Sequence, residues 1–300
     1  MNKKILITGI NGFIGQHCAQ YFAKAGNTLF GIGHGELKQK TLHQGVSADV
    51  SLAALSNMKQ CFDVIIHCAG SGSVGYSINN PKEDYAKNVG ATREVLEYMR
   101  LYNQSAKLIF LSSPAVVGEQ PHTSISEDCA GEPVSPYGQN KKLAEEMCLK
   151  YHKSHNLSIN ILRMFSVYGI GLTKQLLWDA SQKFLSGQNP VKFFGTGEET
   201  RDFVHINDVL KMMSDLIGQK SKFEILNCGC GTSYQVLDVV NMIKNLLGSK
   251  SVIEFNQQVN RGNPQHYWAD ISKAQKLGWS PQILLTDGLK EYIQWVKTIK

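Results

Sequence analysis

Thr8-Gly9-Ile10-Asn11-Gly12-Phe13-Ile14-Gly15 follows the apolar run Ile5-Leu6-Ile7 and opens a helical pattern over 13–25 that closes at Gly26. Glycines placed between a strand and a helix allow a tight turn and close packing of the helix on the strand. They also let backbone approach a pyrophosphate, which the free N–H groups and positive dipole end of the helix attract. The spacing is G-x-x-G-x-x-G rather than the commoner G-x-G-x-x-G. Its place between a first strand and a first helix identifies a dinucleotide-binding βαβ unit.

Outward from this loop the alternation repeats. Near-continuous apolar runs at 5–7, 28–32, 64–68, 108–111 and 159–164 predict buried strands, as a parallel sheet covered on both faces requires. Helical patterns at 13–25, 81–102 and 136–155 lie between them, with Pro81 and Pro136 in first turns. Repeated strand–helix–strand units predict an α/β fold, a doubly wound parallel sheet of Rossmann type with right-handed crossovers. After about residue 166 the pattern loosens into shorter elements, with helices at 175–185, 207–216, 234–247 and 286–299. The expected division is a dinucleotide-binding domain over 1–165, to which segments near 190–228 can return, and a smaller C-terminal α/β substrate lobe over 166–300.

The chain has 300 residues, 42% of them hydrophobic, and a formal net charge of +6, enough for one large core and a second smaller one. Basic residues form no run, which argues against nucleic acid. Apolar stretches fall short of the ~20 residues of a membrane span. The first apolar run stops at Thr8-Gly9, too early for a secretion signal. The cysteines, at 18, 61, 68, 129, 148, 228 and 230, are odd in number and lack zinc-site spacing. A reduced cytoplasmic protein without a metal centre is expected.

An NAD site usually carries an acid at the end of its second strand, some twenty residues past the glycines. Here that stretch reads Phe30-Gly31-Ile32-Gly33-His34-Gly35. The missing carboxylate, with His34 or Lys38 as a positive partner for a 2′-phosphate, favours NADP over NAD. Asp49 is placed either to meet the adenine or to stand as a helix N-terminal carboxylate.

Tyr137-Gly138-Gln139-Asn140-Lys141 opens a helix after Ser135-Pro136, and the i, i+4 spacing puts Tyr137 and Lys141 on one face. A neighbouring ammonium favours the phenolate and makes a tyrosine usable as a proton relay. Ser113 lies at the end of the strand over 108–111, where an open parallel sheet binds its ligands. It reads as a hydrogen-bonding partner of a reacting oxygen or as a turn serine capping local backbone.

In these residues the sequence resembles the extended short-chain dehydrogenase/reductases of the NAD-dependent epimerase/dehydratase family. The likeness runs through the glycine loop, Ser113, Tyr137 and Lys141. It continues in His67-Cys68-Ala69-Gly70, Asn88-Val89-Gly90-Ala91-Thr92, Leu162 to Gly169, Thr200-Arg201-Asp202-Phe203-Val204-His205 and Ala269-Asp270 to Pro281. The resemblance implies an NAD(P)-dependent enzyme acting on a nucleotide sugar, with Ser113, Tyr137 and Lys141 catalytic. It implies a dinucleotide held by Gly9, Asn11, Gly12, Phe13, Ile14, Gly15, His34, Asp49, Val50, Ala69, Asn88, Tyr137, Lys141 and Phe165. Substrate would meet Ser73, Ser166, Lys174, Arg201 and Arg261, the two arginines clamping its diphosphate. A homodimer is implied as well.

Departures from the family pattern narrow the reaction. Family 4,6-dehydratases carry acids directly after the catalytic hydroxyl, where this chain has Pro114 and Ala115. Members acting on GDP-4-keto-6-deoxymannose carry a cysteine where Ala115 stands. Hydride transfer at one carbon, C4, remains. Ser166 stands where family 4-epimerases usually have Asn. With the missing acid of the second strand, it favours a nucleotide-sugar 4-ketoreductase, the alternative being a 4-epimerase of the UDP-glucose type.

Overall fold

The structure, a computed structural model, describes residues 2–37, 39–121, 123–258, 262 and 264–299. Ile5 and Ile7 are buried against one layer of helices and Leu6 against the other, the two-sided burial that an unbroken apolar run calls for. The strands of the first half are β1 (Lys4–Thr8), β2 (Thr28–Gly33), β3 (Leu42–Ser47), β4 (Val64–His67), β5 (Lys107–Ser112) and β6 (Ser158–Met164). Those of the second half are β7 (Ser166–Tyr168), β8 (Val191–Phe193), β9 (Thr200–Arg201), β10 (Phe203–His205), β11 (Phe223–Cys228), β12 (Tyr234–Gln235), β13 (Ile253–Phe255) and β14 (His266–Tyr267).

The main sheet is seven-stranded and doubly wound, in the order β11-β6-β5-β4-β1-β2-β3, with every pairing parallel. Its order reverses between β1 and β4, and the crevice beyond the carboxyl ends of those two strands is where such sheets bind ligands. The two strands absent from the sequence-based expectation, β3 and β11, are the edges. Edge strands are less completely covered, so β3 alternates partly buried and exposed residues instead of running apolar.

Helices α1 (Phe13–Lys24), α2 (Leu52–Asn57), α3 (Val74–Asn79), α4 (Pro81–Tyr85), α5 (Ala91–Tyr102) and α6 (Pro136–His155) belong to the first half. The second half contains α7 (Gln175–Leu185), α8 (Ile206–Gly218), α9 (Val236–Leu247), α10 (Ser272–Lys276) and α11 (Leu285–Thr298). One face of the sheet packs on Cys18, Ala19 and Phe22 of α1 and on Val209, Met212 and Met213 of α8. The other packs on Leu55 of α2, Val95, Leu96 and Met99 of α5, and Ala144 and Cys148 of α6. A separate core joins α7, α9 and α11 through Leu177, Phe184, Val239, Ile243, Leu289 and Tyr292.

The helix expected over 81–102 is interrupted. A π-helical turn, Ala86–Gly90, separates α4 from α5. Such a turn adds a residue without breaking the chain direction, so the apolar period continues across it; such turns are frequent at functional sites. The helix expected from 234 begins two residues later, because Tyr234–Gln235 pairs with β9 as β12. Among the described residues, no helix is long and apolar enough to cross a membrane.

Candidate active site

The three loop glycines do different work. Gly9 has φ +65°, and a Cβ there would lie 2.7 Å from the backbone nitrogen of Ala69, beyond the end of β4. At Gly15 a Cβ would stand 2.3 Å from the Gly9 carbonyl oxygen. These two let β1, α1 and the β4 end close on one another. Gly12 is exposed, donates its N–H to the Gly9 carbonyl at 2.9 Å, and precedes α1 without any side-chain cap. An uncapped helix start facing an open cradle suits the pyrophosphate of a dinucleotide. The Asn11 side chain is occupied elsewhere, donating to the carbonyls of His34 (2.6 Å) and Glu36 (3.1 Å), so it braces the loop against the end of β2.

At that end His34 Nε2 lies 2.9 Å from Asp49 Oδ1. Both side chains are largely exposed, so the pair adds little stability, but it places a carboxylate beside the strand end that lacks one in sequence. Asp49 is not a helix cap; Ser51 takes that role on α2, accepting from Ala54 N at 3.2 Å. Val50 is half-buried against the α2–α5 face of the sheet.

A buried hydrogen-bond chain runs beneath the cradle. Thr8 Oγ1 accepts the N–H of Ala69 (3.1 Å) and meets His67 Nδ1 (2.7 Å), while His67 Nε2 meets Thr92 Oγ1 (3.2 Å). Thr92 Oγ1 donates in turn to the carbonyl of Asn88 at 2.6 Å. With its proton given to Asn88, Thr92 must accept from His67 Nε2–H, so Nδ1 is the acceptor for Thr8. Burial, with the nearby Lys141 charge adding, pulls the His67 pKa down to about 3, which keeps the ring neutral. Asn88, in the π turn, donates from Nδ2 to the Asp84 carbonyl (3.1 Å). Its buried Oδ1 has no protein partner and lies 2.7 Å from where a Cβ on Gly70 would be.

Opposite this chain stands α6. Ser135 caps it by accepting from Gly138 N (3.2 Å), Pro136 fills its first turn, and Tyr137 N donates to Ser77 Oγ of α3 (3.1 Å). Tyr137 lies near Ser113; burial pushes its hydroxyl up to about 12, and the Ser113 hydroxyl partly opposes the rise. Ser113 is itself buried, its Oγ also accepting from Ala115 N at 3.2 Å. Lys141 Nζ donates to the Leu111 carbonyl (2.9 Å) and sits 5.1 Å from the centre of the Phe110 ring. Burial draws its pKa down to about 8, against the opposing charges of Asp84 and Glu145. At neutral pH it remains an ammonium on the helix face that carries Tyr137.

Residues of the second half adjoin Ser113. Arg201, on β9, donates from Nη1 to the carbonyls of Thr200 (2.7 Å) and Gln265 (3.1 Å). Among the described residues its Nη2 has no partner. Beside it Tyr267 of β14 packs against Phe165 with ring centres 5.5 Å apart and reaches Ser113. Among the described residues the buried Tyr267 hydroxyl has no hydrogen-bond partner, and burial holds its pKa well above the usual tyrosine range.

Residues 5–229 match the model of the NAD dependent epimerase/dehydratase family. The chain belongs to this family. An uncharacterised UDP-glucose epimerase of Bacillus subtilis is 32% identical over 99% of the chain and 98% of its own length. The UDP-glucuronate 4-epimerase of Thermodesulfobacterium geofontis is 28% identical over 97% of the chain and 95% of its own. Among solved structures, the UDP-glucuronic acid 4-epimerase of Bacillus cereus, in complex with UDP-glucuronic acid and NAD, superposes with a TM-score of 0.89 at 30% identity. That match covers 99% of this chain and 100% of the other.

As a member of the epimerase/dehydratase family the protein is an enzyme with a Rossmann-type sheet. Of the expected residues, Phe165 and Arg201 adjoin β14, whose Tyr267 also lies near Ser113 and Tyr137. Ala69 and Asn88 stand beside Gly9 and Gly70, while Phe13 and Ile14 pack against the core. Ser166 is partly exposed at the start of β7, its N–H donating to the Asp202 carbonyl at 2.9 Å. Ser73 is committed to capping α3, accepting from Tyr76 N at 3.2 Å. Lys174 is an exposed residue ahead of α7. Arg261 and Lys38 lie outside the described residues. Tyr267 and Asp84 went unmarked in the sequence reading: one sits in a polar stretch far along the chain, the other looks like an ordinary first-turn acid.

Proposed function

We propose that this enzyme is a 4-epimerase of UDP-linked sugars that works with a retained NAD. The observation that carries the reading is the nearness of Ser113 to Tyr137, with Lys141 one turn further along the same helix and Pro114-Ala115 where a dehydratase needs acids. Such a site moves one proton at one hydroxyl. Full-length relatives described as 4-epimerases, one holding NAD and UDP-glucuronic acid, favour epimerisation over the ketoreductase to which Ser166 and the strand-two end had pointed.

The residues present fit NAD. Gly12 and the first turn of α1 would hold its pyrophosphate, Asp49, His34 and Val50 its adenosine end, and Ala69, Asn88 and Lys141 its nicotinamide end. When bound, the dinucleotide supplies the acceptor, and then the donor, of the hydride at C4. Tyr137 would act as the phenolate that Lys141 favours, taking the proton of the C4 hydroxyl through its Oη and later returning it, and Ser113 would orient that oxygen. Lys141 keeps a positive charge behind Tyr137 and favours the phenolate. Arg201 grips the diphosphate in a charge-assisted contact. Inversion requires the oxidised sugar to present its other face while anchored, and an anchor at the diphosphate permits that rotation.

A deuterium label tests this reading. Substrate deuterated at C4 should yield product still deuterated at C4, because the hydride returned is the one removed. Loss of label to added cofactor would instead mark a reductase. We also propose a homodimer through the face formed by α4, α5 and α6, supported by the exposed Tyr85 and Leu143. Sedimentation as a monomer at micromolar concentration would refute it.

A further inference from the structure

Asp84 lies on α4, fully buried, behind the helix that carries Tyr137 and Lys141. One carboxylate oxygen accepts from Asn140 Nδ2 at 2.8 Å; the other is buried without a partner. Removing a carboxylate from water this thoroughly is costly unless a positive charge answers it. Asn140 follows Tyr137 by three residues and precedes Lys141 by one, so the helix turn that aims the relay also clamps the acid.

The groups facing Lys141 leave one candidate for its counter-charge. Glu145, on the same helix, is spent on Arg163, bonded through both oxygens at 3.1 and 2.9 Å. Cys148, also on α6, is a buried thiol whose pKa burial raises, and Cys68 beyond β4 is a free thiol. From β4, His67 is neutral, and β5 offers only the Phe110 ring and the Leu111 carbonyl. Tyr137 itself is protonated in the resting enzyme. Asp84 is the acid in this set with an uncommitted oxygen; it makes no direct ion pair with Lys141 among the described residues, and its charge acts through space, favouring the protonated form of both Lys141 and Tyr137.

We propose that Asp84, clamped by Asn140, is a positioning residue: its carboxylate is the buried counter-charge that keeps Lys141 an ammonium, and so keeps the Tyr137 relay poised. The carboxylate reaches this place because the π turn after α4 lets Asn88 tie back to the Asp84 carbonyl while α5 stays packed on the sheet. The effect on catalysis rests on the Tyr137–Lys141 relay proposed above; the pairing of Asp84 with Lys141 does not.

The test reads Lys141 directly. In full-length protein labelled with 13C,15N-lysine, the Lys141 side-chain Cε–Nζ signal, assigned by its loss in Lys141→Arg, is followed against pH. In Asp84→Asn its titration midpoint should fall by about one pH unit, since a buried opposite charge favours the charged form. The alkaline limb of the pH–rate profile should fall with it. A folded Asp84→Asn protein whose Lys141 midpoint does not move overturns the proposal, because a merely structural residue would change stability and leave the titration alone. If Asp84→Asn does not fold, Asn140→Ala carries the test: it should move the midpoint the same way by a smaller amount, and no movement is again a refutation. Full turnover by Tyr137→Phe would sink the relay instead, and the Lys141 midpoint would still decide the pairing.

Discussion

His34 Nε2 and Asp49 Oδ1 stand 2.9 Å apart beyond the carboxyl ends of β2 and β3, so the corner that lacks an acid in sequence has one in space. A 2′-phosphate bound there would face the Asp49 carboxylate as well as the imidazole. At an exposed site that repulsion is about 1 kcal/mol per charge pair. The expected outcome is tighter binding of NAD than of NADP by at least about fivefold. Asp49→Asn should narrow the gap, because the imidazole remains. Calorimetry showing tighter NADP binding by the wild-type protein would restore the preference suggested by Gly33-His34-Gly35 alone.

Arg201 has one nitrogen of its guanidinium spent on the Thr200 and Gln265 carbonyls, which leaves the other for a ligand among the described residues. Charge-assisted bonds of this kind are worth about 1.5–3 kcal/mol. Arg201→Ala should therefore weaken UDP-sugar binding by roughly ten- to a hundredfold and leave NAD binding nearly unchanged. Equal losses for the two ligands in titration calorimetry would place Arg201 away from the diphosphate.

His67 makes stability depend on pH. Its folded-state value of about 3 lies below the ordinary 6.5, so between those limits the unfolded chain binds a proton that the folded chain refuses. The contribution is complete above pH 6.5 and is lost as the pH falls towards 3, at up to about 1.4 kcal/mol per unit. His67→Gln, able to keep one of the contacts to Thr8 and Thr92, should cost about 1–3 kcal/mol at pH 7. It should also show a shallower loss of melting temperature on acidification. Parallel acid profiles for the two proteins would mean that His67 takes up its proton without unfolding.

What could be read from the sequence was whatever depends on neighbours along the chain. Gly9, Gly12 and Gly15 lie within one turn of backbone, and Tyr137 and Lys141 within one turn of helix, so spacing alone reveals their chemistry. Tyr267 meets Ser113 only because β14 pairs with β9, a register that no local pattern encodes. Asp84 has the look of a solvated helix-start acid, and its burial depends on Asn140 closing over it from another helix. Asp49 and His34 are separated in sequence and brought together at the ends of the paired β2 and β3, so the strand-two end read alone did not show the carboxylate beside it.

If Ser113, Tyr137 and Lys141 serve an epimerase, the enzyme regenerates its own cofactor. Purified protein, with no dinucleotide added, is incubated in turn with UDP-glucuronic acid and UDP-glucose, and the products are separated by chromatography. The C4 epimer of at least one of these sugars should accumulate to equilibrium, with NAD released from the protein on denaturation. Absence of any epimer, together with stoichiometric consumption of added NADPH on a nucleotide-linked 4-keto sugar, would contradict the epimerase reading.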